Sequence, residues 1–173
     1  PLFRILRMNS GMMITGGEPL LRPDFDEIFQ YSRKKGMMVT LFSNGTLLTK
    51  EKAKMLADWN LEQLEISIYG GTKETYEKIT RTPGSFDRCM AGIHNALDAG
   101  VKLSLKTVVL KENCHELELM KSLTENLGMK FRYDGTVWPR LNGDLSPLEH
   151  QVPNEFMLDL DLSDEKRKSA WIK

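Results

Sequence analysis

The chain predicts an α/β domain built on a curved parallel sheet, and two observations carry that prediction. Strand-like runs open at Met12, Met38, Leu64, Leu103 and Met129, spaced 26, 26, 39 and 26 residues apart, with a helical pattern in every gap. Within three of those runs, apolar and polar residues alternate. Parallel strands packed on both faces read as unbroken apolar runs, so a polar face needs an explanation. The reading adopted is a partial barrel whose polar inner face lines a ligand cavity. A sheet with one face open to water is the rival, disfavoured because helical connections imply a parallel sheet.

Taken in order, the first strand is Met12-Met13-Ile14-Thr15, and it runs into Gly16-Gly17-Glu18-Pro19. Arg22-Pro23-Asp24 opens a helix that turns Phe25, Ile28 and Phe29 inward and stops at Gly36. The second strand ends in Ser43-Asn44-Gly45-Thr46, and Thr49 caps a helix with Ala53, Leu56 and Ala57 inward. In the third strand Leu64, Ile66 and Ile68 form one face and Glu65, Ser67 and Tyr69 the other. The long third gap holds a short helix near Tyr76 and Ile79 and the turn Thr82-Pro83-Gly84. Ser85 then caps a helix carrying Phe86, Cys89, Met90, Ile93 and Leu97, which ends at Gly100.

In the fourth strand Ser104 and Lys106 oppose Leu103 and Leu105. Asn113 with Glu116 reads as a capping box for the helix through Leu117, Met120, Leu123 and Leu127, which Gly128 ends. Lys130, Arg132 and Asp134 form the polar face of the last strand. Beyond Trp138 the pattern fades into turns around Pro147 and Pro153, and Ser163 to Lys173 could form a charged helix. The expected division is a core domain over residues 1–144 and a connector over 145–173.

Composition removes several function classes. Basic and acidic residues balance at 24 each, which argues against a nucleic-acid or anionic-membrane surface. No apolar run approaches the ~18 residues of a membrane span, and no signal peptide is visible. The two cysteines, Cys89 and Cys114, have no metal-ligand spacing, and a buried thiol at Cys89 fits a reducing cytoplasm. His94, His115 and His150 read as surface residues, and no Ser-His-Asp, paired-carboxylate or phosphate-loop pattern occurs.

Gly16-Gly17-Glu18-Pro19 bears most directly on function. Two glycines at a strand end let a ligand meet bare backbone, the Glu supplies charge and the Pro ends the strand. That combination suits a small molecule carrying an ammonium group, and a tight turn with a solvated Glu is the alternative. Ser43-Asn44-Gly45 also fits an ordinary turn, Ser67 a strand-end cap, and Lys106 a lysine snorkelling at a barrel rim.

With these motifs at the ends of successive strands, the chain resembles the radical S-adenosylmethionine (radical SAM) superfamily. The likeness is closest to members with a SPASM-type extension, many of which modify peptides or proteins. Ile14-Thr15-Gly16-Gly17-Glu18-Pro19-Leu20-Leu21-Arg22, Thr82-Pro83-Gly84-Ser85-Phe86, Leu105-Lys106-Thr107-Val108-Val109 and Phe131-Arg132-Tyr133-Asp134 carry it in order, over roughly residues 12 to 144. The resemblance implies a partial (β/α)6 TIM-like barrel, with the first β/α unit missing and the site at the C-terminal strand ends. It implies that Gly16, Gly17 and Glu18 hold the methionyl ammonium of S-adenosyl-L-methionine, and that Asn44 and Ser67 contact its sugar and carboxylate. It further implies Lys106, with Arg81 as a second candidate, as the partner for that carboxylate. No catalytic side chain and no metal ligand is assigned.

The family's [4Fe-4S] cluster needs three cysteines in a C-x-x-x-C-x-x-C loop after the first strand, and this chain carries no such loop. The expectation is therefore a piece of a radical enzyme, inactive alone. The intact protein would cleave S-adenosylmethionine reductively to a 5′-deoxyadenosyl radical and abstract hydrogen from a substrate, with a peptide or protein as one candidate. A degenerate, non-catalytic module that binds a nucleoside or peptide is the alternative. With its first unit missing, the Met12 strand should be an exposed sheet edge, prone to self-association.

Overall fold

The structure is a computed structural model and describes residues 11–164 together with 168 and 169. Five strands, β1 (Gly11–Ile14), β2 (Met38–Ser43), β3 (Gln63–Ser67), β4 (Leu103–Val108) and β5 (Lys130–Asp134), form one parallel sheet in the order of the sequence. The connections hold α1 (Phe25–Lys34), α2 (Lys50–Asp58), α3 (Lys73–Thr80), α4 (Ser85–Asp98) and α5 (Leu117–Asn126). Strand order never reverses. Right-handed crossovers therefore place every helix on the same face, as in a barrel rather than a doubly wound sheet.

The alternation in the sequence becomes the two faces of this sheet. Val39, Leu41, Leu64, Ile66 and Leu105 are fully buried in one core with Phe29, Leu56, Ile93 and Met120 from the helices. Each such side chain contributes about 1.5–3 kcal/mol through burial. The opposite, helix-free face carries Phe42, Glu65, Ser67, Ser104, Lys106 and Arg132. In the register Lys106 stands beside both Ser67 and Arg132, and Glu65 beside both Phe42 and Ser104.

Local capping departs from the sequence reading in two places. Thr49 caps α2 as expected, accepting from Lys52 N at 3.2 Å. Ser85 does not cap α4. Gly84 holds the cap position at φ +73°, and Ser85 is the first helical residue, buried, sharing a hydrogen bond with the Thr80 hydroxyl at 2.8 Å. Asn113 and Glu116 make no capping box either. The fully buried Asn113 accepts from Leu110 N and donates to the carbonyls of Tyr69 and Val108. The Glu116 carboxylate turns instead to the start of α3. It accepts from Gly71 N at 2.8 Å, Thr72 N at 3.1 Å, Thr72 Oγ1 at 2.7 Å and Thr75 Oγ1 at 2.6 Å. Four donors at one helix start satisfy a carboxylate better than a single amide on its own turn.

The segment after Trp138 does more than connect. A 3₁₀ turn (Ser146–His150) leads to a bridge between Leu110 and Gln151, a buried Val152, and α6 (Asn154–Ser163). His150 meets Glu112 at 2.7 Å, while His94 and His115 are exposed as expected. Most of the charged helix expected over 163–173 lies outside the described residues. Among the described residues no helix is long and apolar enough to cross a membrane.

Candidate functional site

A cleft of about 650 Å³ opens where the C-terminal ends of β1 to β4 meet the α3–α4 corner. Gly16, Gly17, Glu18, Asn44, Ser67 and Lys106 all line it, so the structure brings six of the seven residues singled out in the sequence to one hollow. Arg81 is not among the lining residues. It ends α3 in a left-handed conformation at φ +53°, exposed to solvent.

The floor beneath β1 is glycine backbone. Gly16 has φ +133°, a conformation that side chains disfavour, and a Cβ on Gly16 or Gly17 would project into open space. Glu18 follows and is half-buried. Its Oε1 accepts from Leu20 N at 3.1 Å and from Ser43 Oγ at 2.9 Å, and its Oε2 accepts from Asn44 N at 2.6 Å. The loop after β2 is built on those bonds. Ser43 Oγ also accepts from Gly45 N at 2.9 Å, while Asn44 Oδ1 accepts from both the amide and the hydroxyl of Thr46. Helix α4 presses on the loop from behind, since a Cβ on Gly92 would lie 2.0 Å from the Gly45 carbonyl oxygen.

Lys106 supplies the positive charge of the inner face, and it is already held. Its ammonium lies 3.0 Å from Glu65 Oε1 and 3.6 Å from the centre of the Phe42 ring. Arg132 donates to the same Glu65 oxygen at 2.7 Å. Burial pushes the Glu65 carboxyl up, but the hydrogen bonds from Arg132 and Lys106 together with their charges outweigh it and hold it below the usual carboxylate range. One carboxylate between two cations leaves this part of the face with surplus positive charge, suited to a carboxylate on a ligand.

Phe42, Tyr76 and Arg88 also line the cleft, and the sequence reading named none of them as site residues. The period of the second strand could have found Phe42, which falls on the same face as Asn44. Arg88 carries no comparable signal, because it lies one turn into α4 and reaches the cleft only through the α3–α4 corner.

Nucleoside-sized ligands fit this hollow in volume and in polarity. The residues do not fit an iron–sulfur cluster. Cys89 lies in the core, where burial pushes its thiol up to about 11 despite a hydrogen bond with Tyr76. Cys114, the chain's other cysteine, has its thiol directed at the Lys111 carbonyl. Among the described residues no group of three or more His, Cys, Asp or Glu could hold a metal ion.

One-sided helices, a five-stranded parallel sheet and a polar cleft at the strand ends define a partial β/α barrel. The profile of the Radical SAM superfamily matches residues 4–123. An AdoMet-dependent heme synthase from Methanosarcina barkeri is 34% identical over 144 residues, 81% of this chain and 41% of that protein. A probable GTP 3′,8-cyclase from Pyrobaculum aerophilum is 41% identical over 113 residues, 65% of this chain and 36% of that protein. In fold the chain is similar to anSMEcpe, solved with bound AdoMet and a Cp18Cys peptide, with a TM-score of 0.70 and 18% identity over 89% of this chain and 47% of the other. The chain belongs to the radical SAM superfamily, a family of enzymes that use S-adenosylmethionine with a [4Fe-4S] cluster. It spans less than half the length of these relatives.

Proposed function

We propose that this chain supplies the S-adenosylmethionine-holding part of a radical SAM enzyme whose substrate is a peptide or protein. The observation that carries the reading is the convergence of bare Gly16–Gly17 backbone, Asn44, Ser67 and Lys106 on one hollow. The backbone carbonyls beside Gly16 and Gly17 would accept from the ligand's ammonium, with the Glu18 charge beneath them. Asn44 and Ser67, at the ends of β2 and β3, are placed for the sugar and carboxylate. The Lys106 ammonium would be shared between Glu65 and the ligand carboxylate, and Arg81 would join it by moving in from the rim. When bound and reduced beside its cluster, S-adenosylmethionine supplies hydrogen-atom abstraction; the side chains here bind, orient and exclude water.

A peptide substrate is favoured by the likeness to a fold solved with a peptide. The free, buried thiol of Cys89 supports a reducing, cytoplasmic setting for the chain. The second reading, a non-catalytic nucleoside or peptide module, rests on the same polar hollow, which can hold a nucleoside without cluster chemistry. Titration calorimetry of the 173-residue chain with S-adenosylhomocysteine tests the site: binding in the micromolar range is expected, and none would end the reading. Anaerobic reconstitution of the same chain with iron and sulfide should leave no stoichiometric cluster.

A further inference from the structure

The GGEP acid has a structural partner set that its sequence position does not reveal. Three donors among the described residues meet its carboxylate: the amide of Leu20 within its own turn, and Ser43 Oγ and Asn44 N from the next strand end, 25 and 26 residues away. Ser43 is buried, and it passes the connection on to Gly45 N. The remaining bonds in the loop orient one side chain. Asn44 Oδ1 faces the Thr46 amide and hydroxyl at 2.9 Å and 2.7 Å, which turns the Asn44 Nδ2 donor away from Thr46. Asn44 lines the cleft, and so does Thr46.

We propose that Glu18 is a positioning residue: it latches the end of β1 to the loop after β2 and thereby sets the Asn44 amide for the nucleoside part of the ligand. This rests on the cofactor-site reading above and deepens it. The charge of Glu18 serves first to hold two backbone segments at one spacing, since charge-assisted bonds to amides are short and strong. Its effect therefore reaches ligands that carry no ammonium at all. A carboxylate is required because the latch has donors on both oxygens. A glutamine could accept on one side only, and its amide nitrogen would confront the Asn44 N–H.

Two ligands and two variants separate this role from a direct one. S-Adenosylhomocysteine carries the ammonium and carboxylate, whereas 5′-methylthioadenosine keeps the nucleoside and lacks both. Glu18→Gln removes the charge. Glu18→Asp keeps the charge and can still cap Leu20 N, but it is too short to reach Asn44. Calorimetry on the whole chain should show both variants weakening 5′-methylthioadenosine roughly ten-fold and S-adenosylhomocysteine at least as much. A loss confined to S-adenosylhomocysteine, or a Glu18→Asp variant that binds normally, would overturn the latch.

Amide hydrogen exchange followed by NMR on the ligand-free chain gives a second, independent readout. The Asn44 and Gly45 amides should be protected in the natural sequence and exposed in both variants. Unchanged protection would overturn the proposal whatever the affinities. If the natural chain binds neither ligand, the cofactor-site reading fails, and the exchange data still decide whether Glu18 is the latch.

Discussion

The Lys106 ammonium sits between the Phe42 ring and the Glu65 carboxylate, with only about a fifth of its side chain exposed. Its position is fixed before any ligand arrives, so ordering it costs little on binding. Lys106→Met should weaken S-adenosylhomocysteine about ten-fold and leave 5′-methylthioadenosine unchanged, since only the former carries a carboxylate. Calorimetry with the two ligands checks this, and equal loss for both would place Lys106 in a purely structural role. Gly92 makes a second residue-scale prediction. A methyl group there would lie 2.0 Å from the Gly45 carbonyl, a backbone atom with no rotamer to escape into. Gly92→Ala should lower stability by about 1–3 kcal/mol by denaturant melting and weaken nucleoside binding through the same loop. Neither contact was legible in the sequence. Alternation placed Lys106 on the inner face, but its partners Glu65 and Phe42 follow from register, and register depends on the whole sheet.

Among the elements, α3 and α5 are joined by a single acid, Glu116, whose carboxylate caps a helix start 44 residues earlier in the chain. Burial pushes this carboxyl up, but hydrogen bonds from Thr75, Thr72 and Gly71 outweigh that and hold it below the usual carboxylate range. A carboxyl depressed in the folded state contributes stability that is complete above its unfolded value, about 4.3, and is lost as pH falls through its lower folded value. Glu116→Gln should therefore cost about 1–3 kcal/mol at neutral pH and flatten the acid limb of the stability profile, measured by thermal melting between pH 3 and 7. Strands and helix bodies were legible because each is written in its own periodicity. The starts of α4 and α5 were not, because Ser85 turned back to the Thr80 hydroxyl and Asn113 to the distant Tyr69 carbonyl in place of their own helix amides. The tail was least legible of all. Val152 joins the core and Met157 lies over Gly135, yet α6 leaves Phe156, Leu158 and Leu162 partly exposed, so no amphipathic stripe marked it.

At the scale of the whole fold, the decisive property is that the barrel wall formed by the described residues is open. Strand order 1 to 5 leaves β1 and β5 as edges among the described residues, and β1 is short, glycine-led and apolar. Met13 on β1 is 58% exposed and Tyr31 on α1 61%. On the helix side of β1 a groove of about 680 Å³ runs along Met12, Ile28, Tyr31 and Met37, rimmed by Glu27, Gln30 and Lys34. The unpaired amides of an edge strand and an apolar groove next to it favour pairing with another chain, and charge on such an edge opposes it. The 173-residue chain should therefore self-associate as its concentration rises, seen as a growing mass in light scattering. Met13→Lys should shift that onset to higher concentration and leave S-adenosylhomocysteine affinity unchanged, because Met13 does not line the cleft. A chain that stays monomeric at all concentrations would mean that the β1 edge is covered, and the inner face would then be more enclosed than the sheet alone makes it.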